Sequence, residues 1–236
     1  GGEIELSWKS TLGKFYDILI NPNLSTPRET WAELPDAQDI AADPSGTNTL
    51  VITLPFPEEG FLAVREKNPP PLFSDDLETG AAGWTTIIND AFGNTEWELG
   101  TPTGTTGPLA GAGESVNAWC TGLGDYGVES DISLRTPAID LSGVASALLS
   151  FDAYRDADGF GDTATIRFLR SSDQSQLGED VPIDMTIFDV DYDAIEVLVP
   201  AAAIGESVLI EFNFVSDGTL DTFSGLCLDN ILVQVP

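Results

Sequence analysis

Short runs rich in β-forming residues occur throughout this chain, and in several of them apolar and polar residues alternate as in β-strands with one buried face. In the first part the runs cover residues 4–8, 14–20, 48–56 and 61–66. In the second part they cover 146–154, 164–170, 194–200, 207–215 and 226–235. Gly, Pro, Asn and Asp separate the runs, and the two helix-like segments, 29–34 and 36–43, are too short and too interrupted to predict helices. The pattern therefore predicts an all-β protein.

A run of three prolines, Pro69 to Pro71, marks the clearest boundary. Proline has no N–H to donate to a β-ladder and favours an extended, stiff connector. We therefore predict a first module over 1–68, a proline linker over 69–72 and a second module over 73–236. These lengths suit a small β-sandwich followed by a larger one.

The charge of the chain is extreme and unevenly distributed. It has 39 acidic and 9 basic residues, no histidine and a formal charge of −30. Residues 69–236 hold 28 acids and 4 bases, a net charge of −24. Such a field repels phosphate backbones and anionic lipids, so neither nucleic acid binding nor membrane insertion is expected. It attracts cations, although adaptation to a salty medium explains an acidic surface equally well.

The first module carries a set of motifs typical of one family. Trp8 is followed by G-K-F-Y-D-I at 13–18, by Trp31 and by G-F-L-A-V-R-E at 60–66. This order resembles fibronectin-type-III-like modules of secreted bacterial multidomain proteins, which are spacers or docking units. The resemblance implies a small sandwich whose aromatic residues fill the core: Trp8, Tyr16, Trp31 and Phe61.

The second module carries five motifs along its length: W-x-x-G-T-P from residue 97, N-A-W-C-T from 117, L-R-T-P-A-I-D-L-S from 134, L-S-F-D-A-Y from 149 and C-L-D-N-I from 227. In these motifs the module resembles the jelly-roll domains of the MAM and cleaved-adhesin type that are appended to secreted bacterial peptidases and adhesins. The resemblance implies a large jelly-roll β-sandwich at the surface of a cell or secreted from it. Domains of this kind are usually noncatalytic and serve in attachment, in recognition of surface glycans or proteins, or in support of an enzyme domain.

The resemblance also implies a calcium site. In related jelly rolls the first strand, with a motif like D-D-x-E-x-G, lies near the last strand, and carboxylates from both bind Ca²⁺. By position the ligands are Asp76, Glu78 and Asp229, with Asp75 and Asn230 as weaker candidates. Ca²⁺ takes six to eight oxygen ligands, which carboxylates and backbone carbonyls supply. Unpaired surface acids are the alternative explanation of the same residues.

A second acidic stretch, R-D-A-D-G-F-G-D-T, contains Asp156, Asp158 and Asp162. It begins like a calcium loop but lacks the bidentate Glu of an EF-hand. A turn between two strands accounts for Asp158 and the glycine after it equally well. These three acids are therefore weaker metal-ligand candidates.

Two cysteines, Cys120 and Cys227, are too few for a disulfide scaffold. They either form one bridge or remain separate buried thiols. The secreted location that the resemblance implies favours the bridge.

Catalysis is not predicted. Without histidine the chain has no Ser-His-Asp or Cys-His pair, and with 39 acids the presence of paired carboxylates is uninformative. Two functions therefore compete. One is recognition of a glycan or another cell-surface component, with exposed aromatic rings stacking on sugars. The other is a calcium-stiffened spacer that supports a neighbouring domain of a larger protein. The candidate stacking residues are Trp84, Trp97, Trp119, Tyr126 and Tyr154, of which Trp97 and Trp119 fall in core motifs.

Overall fold

The structure is a computed structural model that describes residues 2–53, 60–219 and 222–236. The chain divides into two compact units, Gly1–Pro70 and Pro71–Pro236. Across the described ranges the only helical element is a 3₁₀ turn at Arg28–Thr30, so the all-β prediction is confirmed. No helix in this part of the chain has the length and apolar character that a membrane crossing needs.

The described part of the first unit contains six strands in two antiparallel sheets: β1 (Glu3–Lys9), β2 (Phe15–Asn21), β3 (Ala32–Glu33), β4 (Ile40–Ala41), β5 (Thr47–Thr53) and β6 (Phe61–Lys67). β1 pairs with β5, whereas β2 pairs with β3, β4 and β6. The predicted strand 48–56 thus corresponds to β5 through Thr53, and its last three residues lie outside the described ranges.

Ile18, Ala37 and Ile52 form the buried centre of the first unit. Tyr16 and Trp31 are buried as predicted, and Trp8 packs on this core. The expectation for Phe61 is wrong, because its side chain begins β6 on the outside of the sheet and is exposed. The fibronectin-type-III-like assignment itself stays a prediction.

A buried carboxylate links the strands of the first unit electrostatically. Asp17 is fully buried in β2 and receives Lys67 Nζ at 2.8 Å and Arg65 Nη2 at 2.6 Å from the adjacent strand β6. The backbone N–H of Asp39 donates to the same carboxylate at 3.0 Å. Burial alone would raise the pKa of Asp17, but the hydrogen bonds from Lys67, Asp39 and Arg65 outweigh it and hold the pKa below its ordinary value.

The described part of the second unit contains twelve strands: β7 (Phe73–Asp75), β8 (Thr85–Ile88), β9 (Glu98–Gly100), β10 (Ala118–Cys120), β11 (Asp131–Arg135), β12 (Ile139–Asp140), β13 (Leu148–Asp156), β14 (Thr163–Arg170), β15 (Val181–Ile183), β16 (Asp193–Leu198), β17 (Ser207–Val215) and β18 (Gly225–Gln234). One sheet has the order β16-β13-β18-β10-β9, with β7 also paired to β18. The other has the order β15-β14-β17-β11-β8, with β12 also paired to β17.

The two sheets share one apolar core. In β17 the alternating residues Ile210, Phe212 and Phe214 are fully buried, which matches the period of two in the sequence. Phe212 meets Phe151 of the other sheet edge to face at 5.2 Å between ring centroids. Two antiparallel sheets packed face to face in this way form a β-sandwich, as predicted for this unit.

The last strand, β18, is the point where the ends of the second unit meet. One of its edges pairs with β13, and the other is shared by β10 at Cys227–Leu228 and by β7 at Ile231–Val233. The first strand of the unit therefore lies beside the last, as expected. Cys120 of β10 stands opposite Cys227 of β18 and is bonded to it, so the predicted disulfide is confirmed.

Candidate calcium site

Asp229 occupies the gap in β18 between the residues that pair with β10 and those that pair with β7. Its side chain is fully buried. Its Oδ2 accepts the N–H of Ala112 at 2.8 Å and its Oδ1 accepts the N–H of Asn230 at 2.7 Å. Burial raises the pKa of Asp229 despite these hydrogen bonds. Keeping this carboxylate ionised therefore destabilises the fold unless a positive charge lies beside it.

Glu78 reaches the same loop from the other end of the unit. Its Oε1 accepts hydrogen bonds from Asn117 N at 2.7 Å, Ser115 Oγ at 2.7 Å and Val116 N at 3.0 Å. The N–H of Asn117 and the hydroxyl of Ser115 are the main reasons that the pKa of Glu78 is lowered. Glu78 and Asp229 are far apart in sequence, yet both hold the loop 111–117.

The turn that carries Glu78 is conformationally strained. Leu77 is fully buried and has a φ of 61°, which is unfavourable for a residue with a Cβ. Asp75 supports the turn from both sides: its Oδ1 accepts the N–H of Leu77 at 2.9 Å and its Oδ2 accepts the indole N–H of Trp84 at 2.8 Å. Strain of this kind persists where the surroundings fix the backbone, and it is common at binding sites.

Several oxygens converge on Gly111, a buried residue at the start of the loop. A methyl group on Gly111 would lie 2.5 Å from Asp229 Oδ2 and 2.6 Å from Ser115 Oγ, with the carbonyl oxygen of Asn117 closer still. Ser115 Oγ also contacts Glu78 Oε1. Carboxylate, carbonyl and hydroxyl oxygens are the ligand types that Ca²⁺ takes, and both carboxylates here also accept hydrogen bonds from backbone N–H groups of the loop.

The basic residues of the second unit do not neutralise the negative charge of Glu78 and Asp229. Each of the four is paired with other acids: Arg135 with Glu211, Arg155 with Asp189, Arg167 with Asp180 and Arg170 with Glu206. Among the residues that the structure describes, the buried carboxylate of Asp229 therefore has no basic partner, in a unit that is already strongly negative.

The other candidates of the first acidic segment have separate roles. Asp76 is exposed, accepts the N–H of Glu78 at 3.2 Å and lines an open cleft with Thr79 and Asn230. Asn230 has a φ of 48° and donates to Asp152 at 2.8 Å. Asp75 is committed to the turn, as described above. Within the described ranges no three carboxylates gather into one metal-binding group, so the set of Asp76, Glu78 and Asp229 stays a prediction.

The second acidic stretch is dispersed over different partners. Asp156 accepts Thr106 Oγ1 at 2.5 Å and Ser224 N at 3.0 Å. Asp162 accepts the hydroxyl of Tyr126, and the N–H of Asp217 at 2.9 Å, and burial raises its pKa. Asp158 accepts the N–H of Phe160 at 3.1 Å, as expected of a turn. Each of these acids thus holds a loop, Asp158 within its own turn and Asp156 and Asp162 through partners distant in sequence.

The candidate stacking rings are not exposed, so the expectation is wrong for Trp84, Tyr126 and Tyr154. The five side chains concerned are all buried: Trp84, Trp97, Trp119, Tyr126 and Tyr154. Trp97 and Trp119 are core residues as their motifs implied. Large rings carry most of the burial in such cores, which explains why they face inward. The exposed rings of this unit are instead Phe92, Phe160 and Phe188, which sequence reasoning missed because they stand in loops without a strand pattern.

No family model and no curated protein sequence matches the chain. Among solved structures it is similar to the K1 cleaved adhesin domain of Lys-gingipain from Porphyromonas gingivalis, with 20% identity, a TM-score of 0.48, and coverage of 70% of this chain and 98% of that one. The K3 domain of the same protein gives 18% identity and a TM-score of 0.47, with coverage of 70% and 99%. The xylan-binding domain CBM22-1 from Paenibacillus barcinonensis gives 13% and 0.43, with coverage of 70% and 94%. Likeness at this level does not identify a ligand.

Proposed function

We propose that this chain is a noncatalytic, calcium-stabilised accessory or adhesion region of a larger extracellular protein, and that it recognises a glycan or polysaccharide at a cell surface. The observation that carries the proposal is the convergence of Glu78 and Asp229 on the single loop 111–117, next to the oxygens around Gly111.

The residues that would hold the ion are Asp229 and Glu78, with the carbonyl of Asn117 and the hydroxyl of Ser115. Bound Ca²⁺ would neutralise the buried carboxylate and tie the first and last strands of the unit to the loop. The extracellular medium suits such a site, because calcium modules there work at dissociation constants of about 10⁻⁴ to 10⁻³ M. The Cys120–Cys227 disulfide fits the same compartment, where such bonds persist.

The calcium part of the proposal is tested by thermal unfolding of the full chain in Ca²⁺ and in chelator. If free Ca²⁺ is about 100-fold above its Kd, binding stabilises the folded state by about 2.7 kcal/mol. The melting temperature should rise accordingly in the unsubstituted chain. Glu78→Gln and Asp229→Asn should remove the difference between the two buffers, whereas Asp191→Asn, at an exposed position outside the site, should keep it. Superimposable curves for the unsubstituted chain in both buffers contradict a calcium site.

A second candidate function is a calcium-stiffened spacer beside an enzyme domain. The burial of all five candidate stacking rings favours it, since a glycan platform has to come from other residues. A glycan array with the full chain in Ca²⁺ separates the two functions. Specific retention of glycans supports recognition, whereas a blank array together with an intact calcium response supports the spacer.

A further inference from the structure

A cleft with a volume of about 420 Å³ opens at the β14–β15 edge of the second unit. Thr163 and Thr165 of β14 and Pro182 of β15 form its strand wall, while Ile183 and Met185 contribute buried apolar side chains. This volume lies in the range of small-molecule sites, which are mostly apolar with a few placed polar groups.

Two tight turns close one end of the cleft. After β15, Asp184 Oδ1 accepts Thr186 N at 3.0 Å and Thr186 Oγ1 at 2.6 Å, which reverses the chain. The loop after β13 then lies directly against this turn. A methyl group on Gly159 would stand 2.5 Å from Thr186 Cα and 2.7 Å from Met185 O, so only glycine permits the contact.

The polar groups of the cleft are hydroxyls and carboxylates. Asp162 and Asp184 line it, together with the threonines of β14, and none of the described lining residues is basic. Asp184 is exposed, and its Oδ2 makes no hydrogen bond with the described residues. A cleft with carboxylate acceptors and no cation suits a ligand that donates hydrogen bonds through hydroxyl groups, and it repels an anionic one.

Thr165 adds an unsatisfied group. Its Oγ1 is buried and has no partner in the described part of the chain, while the residue itself lines the cleft. A buried hydroxyl without a hydrogen bond is costly. Rotation about χ1 to another staggered position would move the hydroxyl out of this unpartnered position and let it bond to a ligand in the cleft.

The loop that closes the cleft carries an exposed aromatic residue between the lining residues Gly159 and Asp162. Phe160 follows Gly159 in the loop that closes it, and its side chain is fully exposed. An exposed phenyl ring in a strongly acidic unit is unfavourable in water but offers an apolar face to the C–H groups of a sugar. A pyranose presents hydroxyl groups that donate hydrogen bonds and a face of C–H groups that packs on an apolar ring. The carboxylates of the cleft and the Phe160 ring match these two features.

From this arrangement we propose that the cleft binds an uncharged pyranose residue of a glycan, with the ring of Phe160 against the sugar face and Asp184 and Thr165 at its hydroxyls. The inference rests on the glycan-recognition part of the proposed function and assigns it a site. It also sets the class of ligand, because the carboxylates of Asp162 and Asp184 disfavour uronic acids and sulfated sugars.

The experiment is affinity electrophoresis of the full chain in calcium-containing native gels cast with soluble β-glucan, mannan or unsubstituted xylan, and with polygalacturonate as the anionic comparison. At least one uncharged polymer should retard the chain, and polygalacturonate should not. Phe160→Ala and Asp184→Asn should each weaken the retardation, and the Kd obtained from it should rise about tenfold. Phe92→Ala removes an exposed ring of the loop between β8 and β9, which contributes no lining residue to the cleft, so this variant should bind like the unsubstituted chain.

Thr165→Val separates binding from folding. It replaces a buried unpartnered hydroxyl by a methyl group, so the melting temperature should stay the same or rise while retardation falls several-fold. Retardation that survives Phe160→Ala and Asp184→Asn overturns the cleft assignment and leaves glycan recognition standing. Absence of retardation by every polymer overturns both, and equal retardation by polygalacturonate overturns the uncharged class.

Discussion

Replacing Gly111 by alanine is the most direct test of how tightly the loop 111–117 is built around Asp229. Gly111 is buried, and its φ does not lie in the left-handed region, so alanine meets no backbone strain there. The added methyl group would instead lie within about 2.6 Å of three oxygens, those of Asp229, Ser115 and Asn117. Real methyl groups do not approach oxygen so closely, so the loop has to move.

The expected cost follows from this geometry. Inserting a methyl group into a packed site usually destabilises a protein by about 1–3 kcal/mol, a large part of a total stability of about 5–15 kcal/mol. One of the three oxygens belongs to the backbone and another to a buried carboxylate, which limits relaxation. We therefore expect Gly111→Ala to fall in the upper half of that range, at about 2–3 kcal/mol, and to abolish the calcium response, because the displaced oxygens are the proposed ligands.

Gly124 provides the matched control. A methyl group there meets nothing within 4 Å, and its backbone also lies outside the left-handed region. Gly124→Ala should therefore be neutral or stabilise the chain by up to about 1 kcal/mol through the unfolded state. Urea unfolding followed by tryptophan fluorescence, in Ca²⁺ and in chelator, measures both variants. Equal midpoints for Gly111→Ala and Gly124→Ala, or a normal calcium response in Gly111→Ala, would refute the reasoning.

Two further predictions concern other parts of the chain. The disulfide joins residues 107 positions apart, so the double variant Cys120→Ser, Cys227→Ser should lose about 4–5 kcal/mol in urea unfolding; a loss below about 1 kcal/mol would contradict a stabilising bridge. In the first unit, the lowered pKa of Asp17 means that its pairs with Lys67 and Arg65 stabilise the fold above pH 3.8, the ordinary pKa, and lose their effect as pH falls through the folded pKa. Asp17→Asn should therefore destabilise the unit at pH 7, and the difference from the unsubstituted chain should shrink below about pH 3.8; a pH-independent difference would be the contrary result.

Local patterns were sufficient for the strands and for part of the candidate site. The alternation in S-V-L-I-E-F-N-F-V corresponds to β17, Ser207–Val215. Successive side chains of a strand point to opposite faces, so the apolar residues mark the buried face. The resemblance of the D-D-x-E and C-L-D-N motifs to those of known jelly rolls placed Glu78 and Asp229 at adjoining strands. Neither the strand pattern nor the resemblance predicted that Glu78 and Asp229 would hold the same loop. That contact depends on the order in which β7 and β10 pair with one edge of β18.

Burial was harder to predict than strand position. Trp84 and Tyr154 were candidate stacking rings, yet both are buried. Trp84 packs against Trp119, and Tyr154 clusters with Cys120 and Cys227, and these partners are distant in sequence. The motif around Asp156 and Asp158 suggested a local loop, whereas Asp156 binds residues that lie about 50 and 68 positions away. Phe160 lies in the same stretch, and its acidic pattern gives no indication that the ring is exposed.

The position of β18 also sets the order in which the second unit can form. All three of its neighbours, β7, β10 and β13, precede it in the chain. During synthesis these strands emerge with unpaired edges before β18 is available, and unpaired strand edges are prone to mispairing. The thiol of Cys120 must likewise remain reduced until Cys227 has appeared. Maturation of this unit is therefore a late event, and a delay in delivering the final strand would expose the whole half-built sheet to aggregation.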